Sequence, residues 1–234
     1  MNRTAPFIWT SKQRIEPKGF LSSLFPVPPR TEEPNRWFLF RRSIELATVP
    51  DQALTSITVD GRYQLFVNGQ SVGRGPVRCT PTAQKFDTYD LTPFLKAGQN
   101  VIAVVIHVFG MDTSWYEKVQ GLWSHCFGDG GLWIQGDLIN SDLAWKCIQS
   151  NAWRADVPQA DHGLDFIECL DARNLPANWM GAEFDDAGWD QVQILEAGGG
   201  GPEAFFGGLT IRPFPLLQPN PLPPMVMDMV PALK

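Results

Sequence analysis

The amino-acid sequence predicts an all-β protein built as a β-sandwich, and three observations lead to this prediction. The 234-residue chain contains 21 glycines and 20 prolines but few stretches that favour a helix, which indicates many short strands joined by turns. Residues 62–75 alternate apolar and polar side chains on either side of Asn68-Gly69. This dipeptide suits the positive φ angles of a type I′ hairpin turn. The unbroken apolar run over 101–109 is typical of a strand that is covered on both faces.

Local alternation and the intervening turns predict the strands of the first half in order. Residues 7–9 form the opening strand, and the prolines of 16–35 indicate a long connection that wraps around the domain. The run 36–46 alternates as a strand does, and 56–69 supplies two more strands that end at the hairpin. One face of the last of these strands carries its apolar residues, Tyr63, Leu65 and Val67.

The second half continues the pattern. Residues 92–98 suit a single helical turn capped by Thr92, and the buried strand follows directly. Residues 132–139 and 143–148 are predicted as another pair of strands. A turn-rich stretch with two tryptophans leads to a last strand that ends near residue 195.

A change of composition divides the chain into two parts. Four consecutive glycines at 198–201 form a flexible break, and the proline-rich stretch 211–224 is extended like a linker. We therefore expect a sandwich domain over 1–197 and a Gly/Pro-rich exit segment over 198–234 that leads towards a further domain.

The bulk composition argues against several classes of function. A formal charge of −6 and no basic run argue against nucleic acid as a partner. The longest apolar run is too short to span a bilayer, so no membrane partner is expected. The N-terminus shows no apolar core of signal-peptide length, so a cytoplasmic location is the expectation. The four cysteines form no C-x-x-C pair, so they are expected to be free thiols rather than a zinc or dithiol site.

Several segments, in the same order along the chain, resemble the N-terminal β-sandwich region of bacterial α-L-rhamnosidases of glycoside hydrolase family 78. The most specific are GRYQLFVNGQSVGRGP at 61–76 and FDTYDLTPFLKAGQNVIAVVIHVFG at 86–110. Supporting segments are FIWTSK, PNRWFLFRRSIEL, GGLWIQGDL with LAWK, LDARNLPANWMGAEFDDAGW and IRPFPLL. The resemblance covers most of the chain.

This resemblance implies a galactose-binding-like jelly roll that serves as an accessory, carbohydrate-associated module. Such a module would bind sugar, with a rhamnose-containing glycan or glycoside as its partner, or it would buttress the catalytic cleft of an inverting glycosidase. The hydrolytic carboxylates of the family are thought to lie in a following (α/α)₆ barrel, and no helical repeat of that kind is present in this sequence. The partner would then be a C-terminal catalytic domain.

The glycine-punctuated loop that follows the buried strand, from residue 110 to 131, is the predicted sugar-binding surface. It mixes flat aromatic rings with polar groups, as a pyranose ring requires. The candidate sugar-binding residues are Asp112, Trp115, Tyr116, Glu117, Trp123 and His125. The alternative is that Tyr116 and Trp123 turn inward and cap the core. Arg74 and Arg78, on a separate loop, are expected to be solvated or to contact a neighbouring domain.

No catalytic residue is assigned from the sequence. Inverting glycosidases place two carboxyl groups about 6.5–9.5 Å apart. The acidic candidates are Asp87 with Asp90, Asp185 with Asp186, and the set Asp161, Asp165, Glu168 and Asp171. Each is expected to have a structural explanation: Asp90 can accept from backbone N–H groups of the turn at Thr92, and Asp185-Asp186 lies in a turn where such side chains bond nearby backbone. His107 is expected to be a satisfied strand residue. No cofactor is expected, although Asp87 and Asp90 offer oxygen ligands for a structural Ca²⁺.

Two other functions stay open at this point. One is a self-contained glycosidase, which would need one of the acidic pairs to converge across a cleft. The other is a protein-interaction β-sandwich whose aromatic loop binds another protein.

Overall fold

The structure, a computed structural model, describes residues 4–10, 34–79, 83–110, 130–160, 165–195 and 216–223. Within these ranges the chain forms twelve strands in two six-stranded sheets, with two 3₁₀ turns and no longer helix, which confirms the predicted all-β sandwich. No helix in these ranges is long and apolar enough to cross a membrane. The strands are β1 (Phe7–Trp9), β2 (Arg36–Leu46), β3 (Leu54–Val59), β4 (Arg62–Val67), β5 (Gln70–Gly75), β6 (Gln84–Asp90), β7 (Gly98–Val108), β8 (Leu132–Gly136), β9 (Lys146–Ser150), β10 (Asp190–Gln191), β11 (Gln193–Leu195) and β12 (Leu217–Pro219).

The first sheet has the order β11-β1-β8-β3-β6-β12, and the second has the order β10-β9-β2-β7-β4-β5. Neighbouring strands are antiparallel except β12, which runs parallel to β6. Three residues of the exit segment expected to lead away from the domain therefore return to the first sheet.

The core lies between the two sheets. Strand β7 contains the continuous apolar run over 101–108 because both of its faces are buried. Ile102, Val104 and Ile106 point into the space between the sheets, where they are completely buried. Ala103 and Val105 point to the other side and pack in a separate cluster on the outer face of the second sheet. Both faces of β7 are covered, as predicted.

The predicted pairing of 132–139 with 143–148 is wrong, although both segments contain strands. Strand β8 lies in the first sheet beside β1 and β3, and β9 lies in the second sheet beside β2. The chain between them crosses from one sheet to the other, with Ile139 and Trp145 buried in the core. The Trp145 indole also donates a hydrogen bond to the Asn140 carbonyl (2.9 Å). Local spacing indicates a strand but not its neighbour in the sheet.

The Asn68-Gly69 turn joins β4 and β5 as predicted, with φ angles of 51° and 77°. The structure gives Asn68 a second role that the turn itself does not require. Its side-chain amide donates to the carbonyl of Phe94 (2.9 Å), and its oxygen accepts from the backbone N–H of Val101 (3.0 Å). Asn68 therefore ties the hairpin to the start of β7 and to the 3₁₀ turn at Thr92–Phe94.

A buried arginine fixes the segment that covers the outer face of the second sheet. Arg41 is 1% exposed, and its guanidinium donates to the carbonyls of Gly181 (3.0 Å) and Phe184 (3.2 Å) and pairs with the Asp186 carboxylate. These contacts anchor the turn-rich stretch 175–192, whose Trp179 and Trp189 pack on β2 and β7. The other buried residues of that cluster are Leu39, Ala103 and Val105.

Replacing Gly69 with valine should lower the free energy of unfolding by roughly 1 kcal/mol or more, because a β-branched residue is poorly tolerated at positive φ. No atom lies within 4 Å of the position of an added Cβ at Gly69, so the cost reports backbone strain alone. Chemical denaturation of Gly69→Val measures it. Gly188→Val is the matched control, because Gly188 has equal space and no positive φ. Equal losses in the two variants would contradict the type I′ geometry.

Candidate functional site

The six predicted sugar-binding residues, Asp112, Trp115, Tyr116, Glu117, Trp123 and His125, lie outside the described residues. The structure does describe where the chain enters that loop. Phe109 precedes Gly110, and its ring lies 5.1 Å from the His107 ring and 5.6 Å from the Arg62 guanidinium. The loop therefore starts beside the residues of the cleft described next.

A cleft of about 460 Å³ opens at this end of the second sheet. The sequence analysis did not predict it, because its walls come from segments that are far apart in the chain. It is bounded by the outer faces of β2, β4 and β7, by the end of β5 and the chain after it, by β6, and by two segments that follow β9 and β12. The lining residues are Asn35, Trp37, Arg62, Tyr63, Gln64, Arg74, Gly75, Pro76, Val77, Arg78, Asp87, Tyr89, Val105, His107, Asp165, Phe166, Ile167, Glu168, Asn220, Leu222 and Pro223.

One wall of the cleft is a row of side chains across three neighbouring strands. Register places Arg62 opposite His107 and His107 opposite Trp37. The Trp37 ring stacks on His107 (4.3 Å between centroids) and on Trp153 (4.5 Å). Since His107 and Trp153 belong to opposite sides of β2, both faces of Trp37 are covered. Trp37 therefore supports the wall and cannot stack on a ligand ring.

His107 is buried and satisfied, as the sequence predicts. Its Nε2 lies 2.9 Å from the Asn35 side-chain oxygen, and the Asn35 amide donates in turn to the carbonyls of Arg154 and Ala155 (both 3.2 Å). Burial, with a smaller contribution from the Arg62 charge, lowers the pKa of His107 to about 3. Asp165 lies 3.8 Å from Nδ1, but its carboxylate is already paired with Arg62. His107 is therefore neutral.

The opposite wall holds a polar network around Asp87. The Tyr63 hydroxyl donates to one carboxylate oxygen (2.6 Å), and the Asn220 amide donates to the other (2.6 Å). The Tyr89 hydroxyl lies 3.2 Å from that of Tyr63. Burial, followed by the Asp87 charge, raises the pKa of Tyr63 well above its ordinary value, so it stays protonated as a donor. A side chain at Gly75 would collide with the Asp87 carboxylate and the Tyr63 hydroxyl, so a larger residue there would displace this network.

The carboxylates considered as Ca²⁺ ligands have protein partners in the structure. Both oxygens of Asp87 are engaged as described. Asp90 accepts from the backbone N–H of Ala53 (3.2 Å) and from the N–H and hydroxyl of Thr92 (3.0 and 2.7 Å). The hydrogen bonds from the Thr92 hydroxyl and backbone N–H are the main reason that the pKa of Asp90 is lowered. Among the described residues no group of three or more His, Cys, Asp or Glu side chains is placed to hold a metal ion.

These contacts also correct the expected helical cap. Thr92 does not cap the 3₁₀ turn, because the N-cap position is Leu91 and no side chain bonds there. Asp90 takes the role instead by accepting from Thr92, two residues further along the chain.

The other acidic candidates also have structural partners. Asp186 pairs with Arg41, and Asp185 accepts from the backbone N–H of Ala187 (2.9 Å). Glu168 accepts from the Trp153 indole (3.0 Å), and Asp171 pairs with Arg173 (2.7 Å). Asp161 lies outside the described residues. Asp90 and Asp185 accept from backbone N–H groups, as expected. The partners of Asp87, Asp165 and Asp186 are instead side chains from distant parts of the chain, which the sequence did not indicate.

Arg74 and Arg78 reach the cleft, which the sequence analysis did not expect. They lie on either side of the Gly75–Pro76 peptide, which is cis. The cleft is therefore lined by three arginines, and the carboxylates of Asp87, Asp165 and Glu168 balance them. This arrangement offers hydrogen-bond donors and acceptors without net charge.

Asp186→Asn should lower the free energy of unfolding by about 2 kcal/mol, the typical contribution of a hydrogen bond to a charged group, because it leaves the buried Arg41 charge without its counter-ion. Asp185→Asn is the matched control and should cost less than about 0.5 kcal/mol, since asparagine keeps an oxygen that accepts from Ala187. Urea denaturation of both variants gives the comparison. Equal and small losses would show that the Arg41–Asp186 pair does not anchor the covering segment.

Acid should destabilise the protein through His107. In the unfolded chain this histidine gains a proton near its ordinary pKa of about 6.5, whereas in the folded chain it stays neutral down to about pH 3. The unfolded state therefore binds more protons, and stability falls as the pH drops. Between pH 7 and pH 5 this residue should account for a loss of about 2 kcal/mol.

The measurement is the free energy of unfolding at both pH values for the wild type and for His107→Gln. Subtracting the variant removes the contribution of every other titrating group. Parallel pH dependence of the two proteins would contradict a neutral buried His107.

Comparison with known proteins matches residues 49–205 to the family described as the alpha-L-rhamnosidase N-terminal domain. Two alpha-L-rhamnosidases of Formosa agariphila are 23% identical over 160 residues and 25% identical over 162 residues. These alignments cover 64% and 66% of this chain but 17% of each relative.

Solved structures give the same result. A family GH78 rhamnosidase of Bacillus sp. GL1 is 32% identical with a TM-score of 0.70, over 95% of this chain and 20% of that one. A rhamnosidase of Aspergillus terreus, 20% identical with a TM-score of 0.58 over 83% of this chain and 21% of that one, shares the fold. The sandwich, its strand order along the chain and the match over two thirds of its residues lead to one conclusion: the chain belongs to the alpha-L-rhamnosidase N-terminal domain family.

Proposed function

We propose that this chain is a non-catalytic, carbohydrate-binding module of an α-L-rhamnosidase-like glycoside hydrolase, and that its sugar site is the cleft beside His107. The observation that carries the proposal is the cleft itself. Its volume of about 460 Å³ lies within the range of small-molecule sites, about 300–1,000 Å³. The chain spans about a fifth of the length of the rhamnosidases that it resembles, so the catalytic domain as a partner is part of the proposal.

The charges in the cleft favour a neutral, polyhydroxylated ligand. Arg62 is paired with Asp165, and His107 is neutral. The carboxylates and the backbone carbonyls supply acceptors, and the guanidinium and amide groups supply donors. Sugar hydroxyls need both kinds of group at close quarters. A strongly charged ligand would find no excess of the opposite charge.

The aromatic residues of the loop complete the proposal. The covered faces of Trp37 leave this wall without a stacking platform, and a pyranose ring gains from one. Strand β7 ends at Val108, and the next residue, Phe109, has its ring beside Arg62 and His107 where the loop begins. In this proposal Trp115 or Trp123 supplies the stacking face, and the cleft supplies the polar contacts.

A second candidate function is support of a neighbouring catalytic domain. Ile167 and Leu222 line the rim of the cleft and are 49% and 59% exposed, with Leu170 (44%) nearby in sequence. Apolar side chains grouped at a rim suit burial against another domain. This role would place the cleft at an interface rather than in open solvent.

Titration calorimetry with L-rhamnose and related monosaccharides tests the proposal. We expect a dissociation constant on the order of millimolar to tens of micromolar, or roughly −4 to −6 kcal/mol. Gln64→Ala removes an exposed amide from the cleft and should weaken binding about fivefold or more. Gln70→Ala is the matched control, because Gln70 is also exposed on the same hairpin but does not line the cleft.

Further measurements distinguish the candidate functions. Trp115→Ala and Trp123→Ala show whether the loop supplies the stacking face. The same preparation should not hydrolyse an aryl α-L-rhamnoside; turnover abolished by Asp185→Asn would favour the self-contained glycosidase. Absence of heat with every sugar would contradict binding and favour the supporting role.

A further inference from the structure

The segment that contains strand β12 forms part of the wall of the cleft. The described segment 216–223 joins the first sheet through β12, which pairs in parallel with residues 84–86 of β6. The chain then turns into the cleft, where Asn220, Leu222 and Pro223 line it. The cleft therefore has its full shape only while this segment is docked.

Asn220 links the docking of the segment to the polar network of the cleft. Its backbone N–H donates to the Phe86 carbonyl (2.8 Å), which extends the pairing of β12. Its side-chain amide donates to the Asp87 carboxylate (2.6 Å), and the Tyr63 hydroxyl donates to the same carboxylate. The Asn220 oxygen also accepts from the N–H of Leu222 (3.0 Å) and so fixes the turn into the cleft.

Within the described part of the chain, the contacts that hold β12 are few. The strand is three residues long and lies at the edge of the sheet. Besides the backbone pairing, Lys85 donates to the Gln218 side chain (2.5 Å), and Leu217 packs against the buried cluster that contains Phe86. A short edge strand with little buried area opens at a lower free energy than the core strands.

We propose that sugar binding and the docking of β12 are coupled: the cleft binds its ligand when 216–223 is docked, and the bound ligand holds this segment on β6. The inference rests on the proposed function of the cleft. Because a ligand that binds one of two states stabilises it by mass action, occupancy of the cleft lowers the population with β12 undocked. Linkage is reciprocal, so loss of docking weakens sugar binding.

Hydrogen–deuterium exchange of the full chain tests the first direction. The probe is the Asn220 backbone N–H, read with and without L-rhamnose at ten times its dissociation constant. If the sugar binds only the docked state, local opening at Asn220 is suppressed by one plus the ratio of ligand to dissociation constant, so exchange should slow about tenfold. The amides of Asn68 and Gly69, at the hairpin turn and outside the cleft lining, serve as the internal reference and should not change.

Leu217→Asp tests the reverse direction, because Leu217 holds the strand but does not line the cleft. We expect faster exchange at Asn220 and a sugar affinity at least tenfold weaker, with the main unfolding transition retained. Leu143→Asp, at a 53% exposed leucine outside the cleft, is the matched control and should bind as the wild type does. If Leu217→Asp loses the main transition, Gln218→Ala replaces it, with smaller changes in the same directions.

The outcomes separate the inference from the proposed function. Sugar binding by the wild type with unchanged exchange at Asn220 overturns the coupling alone. Faster exchange in Leu217→Asp with wild-type affinity also overturns it. Absence of binding by the wild type overturns the proposed function, and the coupling with it.

Discussion

The segment that covers the outer face of the second sheet is held by the contacts of one buried group, the Arg41 guanidinium. A charge that is 1% exposed needs hydrogen bonds and a counter-ion, and here the carbonyls of Gly181 and Phe184 and the carboxylate of Asp186 supply them to the two terminal nitrogens. These partners lie about 140 residues further along the chain. The pairing thus selects one position for the turn-rich segment, and Trp179 and Trp189 can then cover β2 and β7. The same segment leads into β10 in the second sheet and β11 in the first, so it also joins the two sheets at their edge.

Strands whose signal is local were predictable from the sequence. The alternation over 36–46 coincides with β2, and the positive φ angles of Asn68 and Gly69 follow from residue type alone. Sheet neighbours were not predictable, because β8 and β9 are close in sequence yet belong to different sheets. Pairing is decided by which apolar face each strand buries, and the short connection between β8 and β9 crosses from one sheet to the other with Ile139 and Trp145 buried in the core. The alternation of apolar and polar residues within a strand does not show that the chain changes sheets after it.

The cleft was beyond prediction for a related reason. The row from Arg62 through His107 to Trp37 is created by strand register, and those residues are up to 70 positions apart in the chain. Asn220 reaches Asp87 across 133 positions. The sequence did indicate that His107 would be satisfied and that the acidic groups would have structural partners, because both expectations depend on residue type and burial. It could not indicate that Arg74 and Arg78 would face the same cavity as Glu168, since that depends on two remote segments meeting.

Strand β12 also determines what the first sheet presents to other molecules. An uncovered β6 would offer the backbone groups of residues 84–86 to any extended chain, which is a common route to association through sheet edges. Strand β12 occupies these groups, and it is itself a poor template because it is three residues long and ends in Pro219, which has no N–H to donate. A single short strand thus closes the sheet against unwanted partners, so undocking it would expose the domain to aggregation.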